Sequence, residues 1–381
     1  MRFLLAFILL LHGIIHFFGF LKAYNFHQFE QLTQPIARPQ GLLWLLTGLL
    51  FIGAVVLYLS GVQFWYGVAM AAVVLSQFLI FRNWGDARFG TAANLLILIP
   101  ALLSWQSYRF EHRYRADVQA GIERTQAIQQ DLLTEEDLEH LPAPVQRYLR
   151  YAGVVGQPKV HSFRARFKAE MRGKGQDWMR MDCEQYNFFD TDERLFFLSA
   201  KVKGLPAQGY HRYQGHEASM DVRLFSLLPV AQADGAEMFI AETVTLFNDM
   251  CFLAPAALID QRIKWETIDR QTVQAHFTNK GTTIGARLFF NDYGQLINFE
   301  SFDRYDINAM QQYRFTTPLS NYKRFGNHRL ASYGEATWHY PDGPFVYGKF
   351  TLKKVDYNPK HGVLDYRNEK SMGMFSLQAP R

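Results

Sequence analysis

Three stretches within the first 108 residues, Phe3–Leu21, Gly41–Phe81 and Phe89–Tyr108, contain no Asp, Glu, Lys or Arg. A helix rises about 1.5 Å per residue and a bilayer core is about 30 Å thick, so about 20 apolar residues make one crossing. The middle stretch is about twice that length and is interrupted by Ser60-Gly61, which predicts two helices and a tight turn. The reading is therefore four transmembrane helices over residues 1–108. Pro100 falls inside the fourth, where neighbouring helices can satisfy the freed carbonyl. Trp44, Trp65, Tyr66, Trp84 and Trp105 fall near the predicted ends, where amphipathic rings prefer the interface. The first stretch is long for a cleaved signal peptide, and no small-x-small site follows it. Basic residues are balanced between the two faces: Arg2, Arg109, Arg113 and Arg115 on one, Lys22, Arg38, Arg82 and Arg88 on the other. Charge asymmetry therefore does not choose an orientation.

Charge is thin in this region. Of 40 basic and 35 acidic residues, five and two lie before Trp105, leaving 35 and 33 for the remainder. The rest of the chain is nearly neutral and carries no basic stripe, so nucleic acid is not an expected partner. The expected partners are a lipid bilayer and an apolar small molecule. The two cysteines, Cys183 and Cys251, are read as buried thiols, with a disulfide as the alternative.

Polar residues at lipid depth are the first candidate site. His12 and His16 share a helix face, four residues apart. Ser76 and Gln77 fall in the third span, Asn94 opens the fourth, and Asp86 lies in the polar loop Trp84–Arg88. His12, His16, Asn94 and Asp86 are the candidate ligand-binding residues, since ionisable groups in a span are functional by default. The sharper reading is a ligand, quinone or metal site. The plainer and expected one is hydrogen bonding that holds helices together. Two histidines without a third donor do not make a metal site. The segment Gln31–Ile36 reads as a polar loop folding back over the bundle.

Residues 109–158 read as a helical linker. Ala127–Leu141 is helical by composition, with Thr134 and Asp137 as a weakened capping box. Pro142 and Pro144 start a short helix, Val145–Ala152, closed by Gly153. From Lys159 the period becomes two. Phe163–Met171 and Met179–Glu184 alternate apolar with charged residues, as half-buried antiparallel strands do. Further strands are expected at Leu195–Val202, Gly209–Tyr213, Ala218–Phe225, Ile263–Thr267, Thr272–Phe277 and Thr283–Phe290. Leu296–Phe302, Asn321–His328, Gly334–His339 and Val346–Tyr357 complete the set. One long helix, Ala236–Leu253, interrupts them, and Glu242 and Asp249 on it are expected on a solvated face. Asp182 and Glu184 are expected on a strand's wet face.

The fold class that follows is a four-helix membrane region plus an α+β domain over 159–358, its antiparallel sheet curving as a half-barrel round one helix. A polar tail follows, 359–381. The rings of Phe188, Phe189, Phe196, Phe197, Phe225, Phe277, Phe289, Phe290, Phe299 and Phe302 either line a greasy groove or fill the core, and core packing is the expectation. No Gly-rich phosphate loop, H-E-x-x-H or G-x-S-x-G occurs, so neither reaction nor cofactor is legible. A binding protein for a lipid or other apolar ligand, a redox or metal protein using the intramembrane histidines, and an assembly partner all remain open.

Several segments carry a family resemblance: His12-Gly13-Ile14-Ile15-His16, Gly19–Ala23, Gln31–Ile36, Gly41–Trp44 and Asp86–Asn94, then Leu141–Leu149, Glu242–Met250, Ile263–Glu266 and Gly334–Trp338. On these the chain resembles a family of uncharacterised bacterial membrane proteins with a four-helix N-terminal region and a C-terminal domain of unknown function. That resemblance implies the architecture and no activity. The strand pattern is also similar to lipoprotein-carrier half-barrels, at the level of fold.

Overall fold

The structure is a computed structural model that describes residues 2–27, 29 and 32–361. The polar tail expected after Asn358 lies outside the described residues beyond His361, as does Gln31 of the expected loop. The chain divides after Glu111 into two compact units.

The first unit is helical: α1 (Arg2–Ala23), α2 (Arg38–Leu59), α3 (Trp65–Arg82), the one-turn α4 (Trp84–Ala87) and the start of α5 (Gly90–Thr125). By length and composition α1, α2 and α3 are long and apolar enough to cross a membrane. The predicted break at Ser60-Gly61 is there, with Gly61 at φ +74° ending α2. The fourth uncharged stretch is not a separate helix. It is the first half of the 36-residue α5, which continues into the charged segment after Tyr108 with Pro100 inside it. Apolar side chains cover the helix exteriors: Phe3, Phe7, Leu49, Val56, Val74, Phe81, Leu96 and Ile99 are all more than half exposed. The buried stripe of α1 is instead small or polar: Ala6, His12, Gly13, His16, Gly19 and Ala23, together with Leu9. Small residues let helix backbones approach closely. A Cβ on Gly48 would stand 2.9 Å from the Gly13 carbonyl oxygen, so α1 and α2 meet there backbone to backbone.

In the second unit, Ala127–Leu141 is not the expected helix. Its backbone bonds to residues 156–159 instead: Leu133 N to Gln157 O at 2.9 Å, Gly156 N to Leu133 O at 2.8 Å and Lys159 N to Asp131 O at 2.8 Å. Only Glu136–Leu138 makes a 3-10 turn. The Thr134–Asp137 pairing survives in half, Asp137 Oδ2 accepting from Thr134 N at 2.8 Å. Burying Leu133, Leu138 and Leu141 against the domain outweighs local helix propensity. The short helix is present as α6 (Ala143–Ala152), closed by Gly153 at φ +76°.

Then come β1 (Ser162–Met171), β2 (Met179–Phe188), β3 (Glu193–Val202), β4 (Leu205–Gln214), β5 (Glu217–Leu224) and β6 (Leu228–Asp234). After α7 (Ala236–Phe252) follow β7 (Ile263–Thr267), β8 (Thr272–Asn279), β9 (Thr282–Phe290), β10 (Leu296–Ser301), the small hairpin β11 (Tyr305–Asp306) and β12 (Gln311–Gln312), β13 (Arg314–Phe325), β14 (His328–Tyr340) and β15 (Gly343–Tyr357). Thirteen of these form one antiparallel sheet in the order β6-β5-β4-β3-β2-β1-β15-β14-β13-β10-β9-β8-β7. The edge strands β6 and β7 do not pair, so the sheet is not a closed barrel.

The sheet must nevertheless wrap round α7, because one helix touches strands far apart in the sheet order. Asp249 meets Gln185 of β2 and Arg194 of β3, Thr243 meets Tyr213 of β4, Asn248 meets Thr317 of β13, and Phe247 packs on Phe277 of β8 and Phe299 of β10. α7 is accordingly buried nearly all round, as a helix enclosed by a sheet must be. Its last carbonyls are capped from outside, Cys251 O by Tyr148 Oη at 2.8 Å and Leu253 O by Tyr357 Oη.

The other face of β2–β4 is not bare. The end of α5 covers it: Tyr114 stacks on Phe197 and donates to Glu184 at 3.2 Å, and Asp117 accepts from Tyr210 at 2.7 Å. Glu184 also holds Arg164 and is therefore not the solvated carboxylate expected, whereas Asp182 is exposed.

Candidate functional site

A cavity of about 1150 Å³ lies between α7 and the sheet. That is above the roughly 300–1,000 Å³ of ordinary ligand pockets. Its walls are apolar and soft. Phe167, Phe196, Leu198, Phe315, Trp338 and Leu352 are all at most 6% exposed and still line it. Met171, Met179, Met220 and Met238 line it too, and unbranched thioethers reshape readily around different partners. Its rim is built from the β1–β2 loop, the β3–β4 turn and the segment leaving β10.

Alternation decides which rings reach the cavity. Phe196 and Phe197 are neighbours on β3 and point to opposite faces. Phe196 lines the cavity, while Phe197 stacks under Tyr114 of α5. Of the ten phenylalanines named from the sequence, Phe196 alone lines the cavity. Phe188, Phe277, Phe290 and Phe299 are buried packing, whereas Phe302 is largely exposed. The rings that line it beside Phe196 are chiefly Phe167, Phe252, Phe315, Trp338, Tyr347 and Phe350.

A buried charge cluster forms part of the cavity wall. Glu242 and Asp249 are not on a solvated face: both are under 5% exposed and both hold Arg194. Arg194 gives Nε to Asp249 Oδ2 at 2.7 Å, Nη1 to Glu242 Oε2 at 3.0 Å and Nη2 to Gln185 Oε1 at 3.2 Å. Gln185 and Asn187 add amide donors to the same Asp249 oxygen. His211 Nδ1 stands 3.5 Å from Glu242 Oε1. Burial alone raises a carboxyl pKa, but the Arg194 guanidinium, with His211 and Arg304, overrides it at Glu242 and holds that group at about 2. At Asp249 burial wins, and its pKa is raised despite Arg194 and the two amides. Beside them, Asn248 gives its amide to Thr317 at 2.8 Å but leaves Oδ1 with no partner among the described residues. An unpaired buried acceptor costs about 1–3 kcal/mol until a donor meets it.

The polar residues singled out on the apolar helices come together in part. His16 Nδ1 faces the His12 carbonyl at 2.8 Å, so it carries the proton and Nε2 accepts from Ser76 at 3.0 Å. His12 Nε2 faces Asn94 Oδ1 at 2.9 Å, so there the proton is on Nε2. Asn94 in turn donates to Gln77 at 3.1 Å, and Gln77 to Thr91 at 3.2 Å. The pattern assigns two neutral imidazoles of opposite tautomer. Asp86 is not part of it. It accepts from Thr33 at 2.7 Å and from the Gln34 backbone at 2.8 Å, pinning the loop after α1. Lys22 holds the carbonyls of Leu32 and Gln34 in the same loop. Among the described residues no cluster of three or more His, Cys, Asp or Glu has the arrangement of a metal site. Cys183 and Cys251 are free, buried thiols.

No curated protein matches the chain. Among solved structures it is similar to a LolA superfamily protein from Nitrosomonas europaea, at 10% identity over 56% of this chain and 93% of that one, with a TM-score of 0.33. It is also similar to a β-barrel-like protein of the domain of unknown function DUF1849 from Brucella abortus, at 9% identity over 52% and 98%, with a TM-score of 0.17. A family model described as a family of unknown function, DUF6544, matches residues 131–350.

Proposed function

The chain belongs to the DUF6544 family of unknown function, and we propose that it is a membrane-anchored binding protein whose sheet domain takes up a lipid or other apolar molecule. The observation that carries this is the cavity: about 1150 Å³ walled by Phe, Trp, Leu and Met side chains, between a buried helix and an open sheet. Protein interiors are packed at crystal density, so an open cleft of this size with largely apolar walls departs from ordinary core packing and leaves room for a ligand. The anchor in this reading is α1, α2, α3 and the uncharged first half of α5, four crossings in all. Their apolar exteriors support it, since a helix bundle in water does not present a continuous greasy sheath.

Purifying the full chain in a mild non-ionic detergent, washing it extensively and extracting it with organic solvent tests the proposal. Mass spectrometry should find a lipid or other apolar compound in near-equimolar amount. Ala336→Trp, which places a large ring in the cavity wall, should lose it while keeping the melting temperature within a few degrees. A chain that carries no more apolar material than an unrelated membrane protein washed alike contradicts the proposal.

A second reading concerns His12, His16 and Asn94 as a ligand or redox site. It is favoured by His12 and His16 both meeting Ser76, by Asn94 meeting His12, and by the edge-on rings of His12 and His16, whose centroids lie 4.7 Å apart. An absorbance spectrum and metal analysis of the purified chain, with His12→Ala as control, decide it. A colourless, metal-free protein leaves the cluster as a brace between helices, with Asp86 holding its loop.

A further inference from the structure

We infer that Arg304 is the anchor for an anionic head group, so that the cavity's ligand is an amphiphile with an apolar chain and a carboxylate or phosphate oxygen at one end. The inference rests on the proposed binding role of the cavity and names the ligand's chemistry.

Arg304 lies on the segment between β10 and β11 and lines the cavity, half-buried. Its guanidinium carbon stands over three rings of the wall, 4.4 Å from the centroid of Phe315, 4.9 Å from Trp338 and 5.9 Å from Tyr347. Nη1 donates to Tyr347 Oη at 3.0 Å, and Nε points to Thr245 Oγ1 at 3.4 Å. Those contacts fix the plane of the group. They leave Nη2 without a hydrogen bond to any described residue; no described carboxylate is bonded to the group, although its charge reaches Glu242 across the cavity and helps hold that carboxyl down.

Other arginines of this domain show what is missing. Arg194 holds Glu242 and Asp249, Arg164 holds Glu184, Arg262 holds Asp192 and Asp260, and Arg314 holds Glu300. A half-buried cation in an aromatic wall is costly without a counter-ion, and ring faces compensate only part of that cost. Arginine tolerates the position because it is weakly hydrated, and its planar fork suits a two-oxygen anion.

The carboxylates of the wall already have bonded partners. Glu242 is held by Arg194 at 3.0 Å, Asp306 accepts from Tyr340 and from the backbone of Asn308, closing its own turn, and Glu335 accepts from Tyr333. The lining as a whole holds six cations, Arg172, Lys174, Arg194, Lys201, Lys203 and Arg304, against five carboxylates, Asp177, Glu242, Asp249, Asp306 and Glu335, and Lys174 is paired outside it with Asp342 at 2.9 Å. The charges nearly balance, so the anion is placed by the open Nη2 of Arg304 itself, and the apolar wall takes the chain attached to it.

The test uses the full-length chain in amphipol at pH 8, with displacement of fluorescent cis-parinaric acid as the readout. The competitors are palmitate, its uncharged methyl ester, palmitoyl lysophosphatidate and zwitterionic palmitoyl lysophosphatidylcholine. Palmitate or lysophosphatidate should compete about tenfold or more better than the ester, the span a charge-assisted hydrogen bond gives. Whichever of the two is stronger identifies the head group as carboxylate or phosphate. Arg304→Met should bring acid and ester to equal affinity without weakening the ester, and Arg304→Lys should restore part of the preference. An ester that competes as well as both anions in the unmodified chain overturns the head-group assignment and leaves the apolar cavity standing. If no chain binds at all, the cavity reading falls, and this one with it.

Discussion

Arg194 on β3 and Asp249 on α7 are joined Nε to Oδ2 at 2.7 Å, and this contact ties the buried helix to the sheet that surrounds it. The second arm of the same guanidinium takes Glu242, one heptad earlier on α7. The helix cannot turn about its axis without breaking both. The cavity wall inherits its shape from that lock, because Met238, Ala241, Thr245 and Asn248 reach the cavity from the same helix.

Arg194→Met should therefore destabilise the domain by about 3–5 kcal/mol at neutral pH, as expected when a buried ion pair loses one partner. In the unmodified chain Glu242 is depressed from 4.5 to about 2, so its contribution is present above 4.5 and is lost as pH falls through about 2. Without the guanidinium, burial raises Asp249 further, while Glu242 keeps only His211 and Arg304 against its own burial. Raised carboxyls bind more protons folded than unfolded, so the variant should gain stability as pH is lowered from 7 towards 5. Chemical denaturation at both pH values measures the sign. Equal loss at pH 7 and pH 5 counts against the lock.

At the α1–α2 contact, Gly48→Val should lower the melting temperature of the detergent-solubilised chain. The new Cβ meets the Gly13 carbonyl oxygen at 2.9 Å and the Phe17 ring, and neither backbone can withdraw without parting the helices. Overpacking of this kind costs about 1–3 kcal/mol. Gly53, whose added Cβ meets nothing within 4 Å, should accept alanine without loss and serves as the control.

Ser76 donates to His16 and lies 3.2 Å from His12. Ser76→Ala should cost about 0.6 kcal/mol, the usual worth of one interhelical hydrogen bond in a membrane. The His16 tautomer should stay the same, because Nδ1 still donates to the His12 carbonyl, and His12 should stay protonated on Nε2 through Asn94; nitrogen-15 spectra read both. A shift of the His16 proton to Nε2 would contradict the contact with the His12 carbonyl.

Cys183 and Cys251 are 4% and 0% exposed, and burial pushes both thiols up, away from thiolate formation. A neutral alkylating reagent should label neither in the native chain and both in denaturant. Rapid labelling of Cys251 without denaturant would show α7 to be far less enclosed than described.

Much of this architecture is legible along the chain where the pattern is local. Uncharged runs mark α1–α3, and strict alternation marks β1 and β2. Alternation disappears where both faces are covered: Leu195-Phe196-Phe197-Leu198 reads as uniformly apolar because α5 takes one face and the cavity the other. Strand β6 escapes because it is an exposed edge with Pro229 in its second position, leaving little apolar alternation. The burial of Glu242 and Asp249 is hidden for a different reason. Their partner Arg194 lies 48 and 55 residues away, and nothing near either carboxylate encodes it. Arg304 carries no local signal either, since its place in an aromatic wall without a bonded carboxylate exists only once Phe315, Trp338 and Tyr347 are folded around it.

The central claim, an occupied apolar cavity, is tested most directly by photo-crosslinking in intact cells. A benzophenone amino acid replaces Phe350 in the cavity wall, or Tyr293, which is 80% exposed in a hairpin turn. Irradiation should add a lipid-sized mass to the Phe350 variant and none to the Tyr293 variant. An unmodified Phe350 variant, or equal adducts at both positions, would contradict the account.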